Sequence, residues 1–207
     1  MKVRNAAMYI IIEGMPSSGK STLAKSLAEK YRAVYFKSLL PNDMFGNQIR
    51  VLRDAETNEA TVDLLHLVDL FRNELHIGDL LRKGHSVIRD KCFLSSLAHV
   101  LAVSTDMSPE LRYTLLMGYE ELCNNMVQPD ALVLLNRSLT DSRKMSLEKG
   151  DLTALDHTIL SNQERYIAQQ MFLNDQARKY FGEQLILLSG NLTLAEKVRT
   201  IEEGMAK

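Results

Sequence analysis

The sequence has few cysteines, no tryptophan and almost no net charge. Its two cysteines, Cys92 and Cys123, form neither a C-x-x-C spacing nor a disulfide framework, which is typical of proteins in a reducing compartment. The net charge of −1 argues against a nucleic-acid-binding surface as the main role of the chain. The five histidines show no metal-ligand spacing, and His99 is predicted to be a partly buried core residue because it lies in an apolar helical pattern.

Long apolar runs are also absent from the sequence. No uninterrupted run approaches the length that spans a membrane, and no signal-like apolar segment precedes Glu13. We therefore expect a cytoplasmic protein with no membrane partner and no nucleic-acid partner. With 207 residues, 45% of them hydrophobic and 25% charged, the chain fits one folded domain over residues 1–207.

The strongest pattern is a glycine-rich segment that follows an apolar strand and opens a helix. It matches G-x-x-x-x-G-K-[ST], the loop that cradles the phosphates of a nucleoside triphosphate. Its glycines let backbone N–H groups wrap around the anion, and the next helix points its positive end at the same place. We expect Lys20 to bind the β- and γ-phosphates and Ser21 to bind Mg²⁺. The predicted loop residues are Gly14, Met15, Pro16, Ser17, Ser18, Gly19, Lys20, Ser21 and Thr22.

Short apolar runs alternate with helical patterns along the chain, which predicts an α/β fold with a five-stranded, mainly parallel sheet flanked by helices. The predicted strands are 8–12, 33–36, 86–88, 131–135 and 185–188. A long helix over 59–83 is predicted to bury Leu64, Leu67, Val68, Phe71, Leu75 and Leu81. A second long helix over 158–181 is predicted to bury Leu160, Ile167, Met171 and Phe172. Ser108-Pro109 and the pair Thr193 and Glu196 are predicted helix starts.

Ligands of open parallel sheets bind beyond the carboxyl ends of the strands, so the residues that follow each strand are site candidates. Asp90 ends the third predicted strand, where a carboxylate could lie near Mg²⁺ or near the attacking hydroxyl. The alternative for Asp90 is a structural ion pair with Arg89 or Lys91. Lys91 could neutralise an acceptor phosphate, or it could be a solvated surface cation.

Residues 137–157, between the fourth strand and a long helix, are predicted to form a helical lid. This segment is basic, with Arg137, Arg143, Lys144 and Lys149. Closure of such a segment would bring Arg137 and Arg143 to the transferring phosphoryl group, where they would act as catalytic cations. The alternative is a charged face exposed to solvent.

Further motifs occur in order between residues 8 and 201. After the phosphate loop come Gly46-x-x-Ile49-Arg50, Leu64-Leu65 with Asp69, Leu81-x-x-Gly84-x-x-Val87-Ile88-x-Asp90-Lys91, Ser95-Ser96-x-Ala98 and Pro129-Asp130. In this order and spacing the chain resembles thymidylate kinases and, more distantly, deoxynucleoside kinases of the same fold. The resemblance implies a three-layer P-loop kinase that uses ATP and Mg²⁺ to phosphorylate a nucleoside monophosphate.

The resemblance also assigns roles to residues. Lys20 would bind the donor phosphates, and Ser21 with Asp90 would bind the metal. Lys91 would stand in for the arginine that holds the acceptor phosphate. The further acceptor-side residues are Arg50, His66, Asp69 and Arg72.

The chain departs from the family pattern only on the acceptor side. Lys37-Ser38-Leu39 stands in place of R-E-P, and His66 takes the place of the aromatic residue that stacks on the base. Leu70 replaces an arginine, and Cys92 replaces a tyrosine. The donor site is therefore better supported than the identity of the acceptor.

Two other functions stay open on the sequence. A kinase with the same core could act on a nucleoside, a sugar or another metabolite, and it would need fewer acceptor-side cations. A nucleotide-switched regulatory protein would also carry a phosphate loop, and Asp43-x-x-Gly46 fits its D-x-x-G motif, but the guanine-reading N-K-x-D does not occur. The apolar helices near 64–81 and 93–103 could support a homodimer.

Overall fold

The computed structural model describes residues 7–37, 44–54, 59–103, 107–149 and 154–206. Its sheet has the strand order β2-β3-β1-β4-β5, and every neighbouring pair is parallel. The strands are β1 (Tyr9–Gly14), β2 (Val34–Lys37), β3 (Val87–Asp90), β4 (Ala131–Asn136) and β5 (Leu185–Ser189). The predicted five-stranded parallel sheet is thus confirmed.

Helices connect the strands and cover both faces of the sheet. They are α1 (Lys20–Tyr31), α2 (Met44–Asp54), α3 (Glu59–Arg82), α4 (Phe93–Val103), α5 (Pro109–Asn125), α6 (Leu139–Lys149), α7 (Ala154–Ser161), α8 (Gln163–Phe181) and α9 (Leu194–Met205). In the described part of the chain, none of the helices has both the length and the apolar character that crossing a membrane requires.

The central strand β1 is buried on both faces, because side chains alternate between the two sides of a strand. Tyr9 and Ile11 join the core formed with α3, α4, α5 and α8. Ile10 and Ile12 join the second core, formed with α1 and α9. Two helical layers with the sheet between them give the three-layer architecture.

The buried face of α3 agrees only in part with the predicted one. Leu67 is in the core, and Phe71 and Leu81 pack against it. Leu64, Val68 and Leu75 are 38%, 55% and 76% exposed. The buried stripe instead repeats every three or four residues as Asp63, Leu67, Leu70, Glu74 and Ile77. Two of its members are acidic, so a search for apolar spacing misses them and includes exposed apolar residues instead.

The second predicted long helix is two helices. Asn162 separates α7 from α8, and its side chain accepts a hydrogen bond from the Arg165 N–H at 3.0 Å as an N-cap. Ile167 and Met171 are 46% and 61% exposed. The residues of α8 that face the core are Tyr166, Gln169, Leu173, Ala177 and Phe181.

Candidate active site

The loop between β1 and α1 takes backbone conformations that favour glycine. Gly14 has φ of 153°, and a Cβ there would lie 2.7 Å from both the Leu135 carbonyl oxygen and the Ser18 hydroxyl. Gly19, the N-cap of α1, has φ of 93°. Ser17 also has positive φ, at 57°. The loop therefore turns back tightly enough for its backbone N–H groups to surround an anion.

Lys20 begins α1 and folds back over the loop. Its Nζ donates a hydrogen bond to the Met15 carbonyl at 3.2 Å. Burial lowers the pKa of Lys20, and the ammonium of Lys91 lowers it further, while Asp90 and Glu13 oppose the shift. Beside it the Ser18 hydroxyl is buried without a hydrogen-bond partner among the described residues. Both groups can donate to a bound phosphate. Met15 is buried, Pro16 is half-buried and Thr22 is exposed.

Ser21 and Asp90 meet at the hydroxyl of Tyr35. Asp90 ends β3 and is 2% exposed, and the Tyr35 hydroxyl donates to its Oδ2 at 2.8 Å. The Ser21 hydroxyl lies near the same phenol, where it lowers the pKa of Tyr35. Hydroxyl and carboxylate oxygens are ligand types that Mg²⁺ takes, so the residues present fit this ion.

Arg89 lies on the other face of the sheet from Asp90, because consecutive side chains of β3 point in opposite directions. It is fully buried and forms an ion pair with Glu74 of α3, and it donates to the Tyr9 hydroxyl at 3.1 Å. The carboxylate that pairs with Arg89 is thus Glu74.

Glu13 connects the phosphate loop to the segment after β3. It is fully buried. It accepts hydrogen bonds from the Gly14 N–H at 3.2 Å, the Cys92 N–H at 2.7 Å and the Ser95 hydroxyl at 2.5 Å. Sequence reasoning missed Glu13, although an acidic residue at the end of an apolar strand and directly before the loop was a usable signal.

Lys91 follows Asp90 at the carboxyl end of β3. It has φ of 79°, and its N–H donates to the Ile12 carbonyl at 3.0 Å. Its exposed ammonium lies near enough to Lys20 and His99 to lower the pKa of both side chains. His99 is 9% exposed, and burial is the main cause that lowers its pKa to about 4. His99 is therefore a core residue, as the sequence predicts.

Arg137 packs directly against the phosphate loop. Its guanidinium donates to the Ser17 carbonyl at 3.5 Å and to the carbonyl of Gly190, after β5. Lys197 of α9 donates to the same Gly190 carbonyl at 2.8 Å, and a Cβ on Gly19 would lie 3.9 Å from its Nζ. Two cations thus border the loop. Sequence reasoning missed Lys197 because its position in a surface-like amphipathic helix gives no signal.

Arg143 contacts the carboxyl end of α7, beyond residue 157, where the predicted lid ends. Its Nε donates to the Leu160 carbonyl at 2.6 Å and a terminal nitrogen donates to the Ser161 carbonyl at 3.1 Å. These bonds tie α6 to the carboxyl end of α7. Lys144 is exposed, and the Lys149 side chain and residues 150–153 lie outside the described residues.

The other predicted acceptor-side residues lie on α2 and α3. Arg50 is in α2, and its side chain is outside the described residues. His66 is half-buried on α3. Asp69 is buried and accepts from the Asn73 amide at 2.9 Å, with the Arg72 guanidinium 3.9 Å away. The structure therefore groups His66, Asp69 and Arg72 on one helix.

Comparison with known sequences finds relatives that are named probable thymidylate kinases. No protein-family model matches the chain. A probable thymidylate kinase of Thermococcus onnurineus is 32% identical over 155 residues, which cover 66% of this chain and 70% of the relative. A probable thymidylate kinase of Methanococcus vannielii is 36% identical over 92 residues. That match covers 44% of this chain and 46% of the relative, so it spans about half of each protein.

Comparison with solved structures shows the fold. A thymidylate kinase from Candida albicans is similar with a TM-score of 0.74 and 20% identity, over 96% of this chain and 90% of that one. A deoxyadenosine kinase from M. mycoides with bound dATP has a TM-score of 0.73 and 15% identity, over 97% of this chain and 100% of that one. The architecture is that of P-loop kinases.

Proposed function

This chain belongs to the thymidylate kinase family of P-loop kinases, and from that premise we propose that it transfers the γ-phosphoryl group of ATP to a nucleoside monophosphate. One observation carries the proposal. Lys20 of the phosphate loop, Ser21 of α1 and Asp90 of β3 lie together at the carboxyl edge of the sheet. That edge is where open parallel sheets bind nucleotides.

The donor would bind in the loop. The backbone N–H groups of Ser17, Gly19 and Lys20 would hydrogen-bond the phosphate oxygens, together with the Ser18 hydroxyl, which has no partner among the described residues. The Lys20 ammonium would exchange its bond with the Met15 carbonyl for one with the β- and γ-phosphates. Ser21 and Asp90 would hold Mg²⁺, which supplies positive charge that neutralises the phosphates.

Catalysis would consist of positioning and charge stabilisation, since phosphoryl transfer needs little covalent help from the protein. Of the two predicted lid arginines, Arg137 is the better placed because it already contacts the Ser17 carbonyl of the loop. Arg143 would reach the transferred group only by giving up its bonds to the Leu160 and Ser161 carbonyls. Closure of the lid would exclude water and suppress hydrolysis of ATP.

The acceptor would bind beside Lys91, between the end of β3 and α3, with Arg50, His66, Asp69 and Arg72 as further contacts. The names of the relatives favour thymidylate as the acceptor. One observation favours a second candidate, a nucleoside. Leu70, which stands where the family has an arginine, is buried in the core at 3% exposure, so this position brings no charge to an acceptor phosphate.

The test is ATP-dependent ADP release across a panel of nucleosides, nucleoside monophosphates and sugars. We expect release that requires a nucleoside monophosphate, with thymidine monophosphate among the best acceptors. Turnover with nucleosides alone would select the second candidate. Tight binding of a guanine nucleotide without acceptor-dependent turnover would instead favour a regulatory switch, whose D-x-x-G signature falls partly outside the described residues.

A matched pair of lysine variants tests the donor site in the same assay. Lys20→Ala removes the ammonium from the loop, whereas Lys30→Ala removes an exposed ammonium of the same helix that pairs with Glu202. We expect Lys20→Ala to reduce turnover by at least about a hundredfold, and Lys30→Ala to leave it unchanged.

We also propose where the enzyme acts and how it assembles. The two cysteines are buried free thiols, which suits the reducing cytoplasm. A homodimer would form through the exposed stripe of α3, defined by Leu64, Val68 and Leu75. The apolar residues of α4 from Phe93 to Val100 are in the core and would not contribute to it.

A further inference from the structure

Tyr35 lies outside the phosphate loop, but its side chain contacts Asp90 of the candidate site. It lies in β2, which neighbours β3, and the register pairs Tyr35 with Ile88 and Lys37 with Asp90. Tyr35 and Asp90 are separated by 55 residues in the sequence, yet the phenol hydroxyl donates to Asp90 Oδ2 at 2.8 Å. The Lys25 ammonium lies 5.8 Å from the centre of the Tyr35 ring.

The Tyr35 phenol lies between helix α1 and strand β3, which both supply residues to the candidate site. Ser21 and Lys25 are one turn apart on α1, and both lie beside Tyr35, Ser21 near its hydroxyl and Lys25 over its ring. Asp90 comes from β3. The phenol hydroxyl thus lies between Ser21, the second residue of α1, and the carboxylate that ends β3.

We propose that Tyr35 is a positioning residue for the metal site, which holds the Asp90 carboxylate and the Ser21 hydroxyl in the orientation that a divalent cation requires. The inference rests on the proposed function, because it assumes that these two residues bind the cation that accompanies ATP. Mg²⁺ demands a near-ideal arrangement of oxygen ligands, so a small rotation of either side chain weakens binding. Carboxylates that bind metals are themselves hydrogen-bonded, and loss of such a partner typically weakens metal binding tenfold to a hundredfold.

The chain offers a matched control for the test. Tyr31 is also a tyrosine whose hydroxyl donates to a carboxylate, that of Glu202, at 3.0 Å, but on the exposed contact between α1 and α9. Tyr35→Phe and Tyr31→Phe each remove one phenol hydroxyl that donates to a carboxylate and leave the ring in place. Only the first change touches the residues of the proposed metal site.

The experiment measures Mn²⁺ binding by electron paramagnetic resonance, with each purified protein saturated with a non-hydrolysable ATP analogue. We expect Mn²⁺ to bind about tenfold to a hundredfold more weakly to Tyr35→Phe than to wild type, and Tyr31→Phe to match wild type. In steady-state assays the Mg²⁺ concentration for half-maximal rate should rise in Tyr35→Phe, while excess Mg²⁺ restores most of kcat. Equal Mn²⁺ affinity in wild type and Tyr35→Phe would overturn the inference, and so would an equal loss in both variants.

Wild-type protein alone provides a second test should Tyr35→Phe not fold. Because the chain has no tryptophan, its near-ultraviolet absorption comes mainly from its seven tyrosines. If Asp90 holds Mg²⁺ as proposed, its carboxylate would share negative charge with the ion and bind the phenol more weakly. Adding Mg²⁺ to the complex with the analogue should therefore shift the near-ultraviolet absorption of one tyrosine. An unchanged tyrosine spectrum would overturn the inference. Failure of wild type to bind Mn²⁺ with the analogue would instead refute the proposed donor site, and this inference with it.

Discussion

Replacement of Glu13 by glutamine tests whether this buried carboxylate holds the phosphate loop against the segment after β3. Glutamine has the same shape, but it offers one oxygen and one NH₂ group. Glu13 Oε1 accepts from the Cys92 N–H, and Oε2 accepts from the Gly14 N–H and the Ser95 hydroxyl. In either orientation the glutamine NH₂ group faces a backbone N–H, so one buried donor loses its partner.

The magnitude follows from these contacts. One unpaired buried N–H costs about 1–3 kcal/mol. The remaining bonds lose the carboxylate charge, which is worth roughly 1 kcal/mol for each bond. We therefore expect the free energy of unfolding to fall by about 3 kcal/mol for Glu13→Gln, with a decrease in Tm of about 10 °C for a chain of this size. Because Asp90 and Lys91 precede Cys92 directly, kcat should fall as well.

The assay is urea denaturation followed by circular dichroism, together with kcat at saturating substrate. The control is Glu183→Gln, which makes the same chemical change at an exposed site. The control should change the free energy of unfolding by less than about 0.5 kcal/mol. An equally small change for Glu13→Gln would refute the role assigned to Glu13.

Two further outcomes are expected. Because burial lowers the pKa of His99 to about 4, from the 6.5 of a free histidine, the unfolded chain binds this proton first. The contribution of His99 to the free energy of unfolding is therefore fully present above pH 6.5 and is lost as the pH falls toward 4. The loss amounts to about 2 kcal/mol at pH 5. His99→Gln should flatten that part of the pH–stability curve measured by urea denaturation, and the exposed His157→Gln should leave it unchanged. For the proposed homodimer, Val68→Glu should shift sedimentation velocity from dimer to monomer without a loss of helical content, and a wild-type monomer at micromolar concentration would contradict it.

Features that depend on residues close to one another in the sequence could be predicted from it. The phosphate loop was recognisable because its glycines, its lysine and its flanking strand and helix occur within a short segment. The predicted starts of α5 and α9 are confirmed for the same reason. Ser108 accepts from the Leu111 N–H at 3.3 Å, and Thr193 with Glu196 forms a capping box.

Contacts between distant segments could not be predicted in this way. Glu13 and Ser95 are 82 residues apart, and Tyr35 and Asp90 are 55 apart, so no local pattern joins them. Leu64, Val68 and Leu75 of α3 were wrongly predicted to be buried for a related reason. Glu74 is buried because Arg89 of β3 neutralises it, and a search for apolar spacing treats such a residue as exposed.

The most direct test of the account is ADP release from ATP and Mg²⁺, measured with and without a nucleoside monophosphate. For wild type we expect release that depends on the acceptor, and Lys20→Ala should lose at least about a hundredfold of that rate. Near-wild-type turnover of Lys20→Ala would contradict the assignment of Gly14–Ser21 as the donor site. ATP hydrolysis at the same rate with and without every acceptor would contradict the proposed kinase activity.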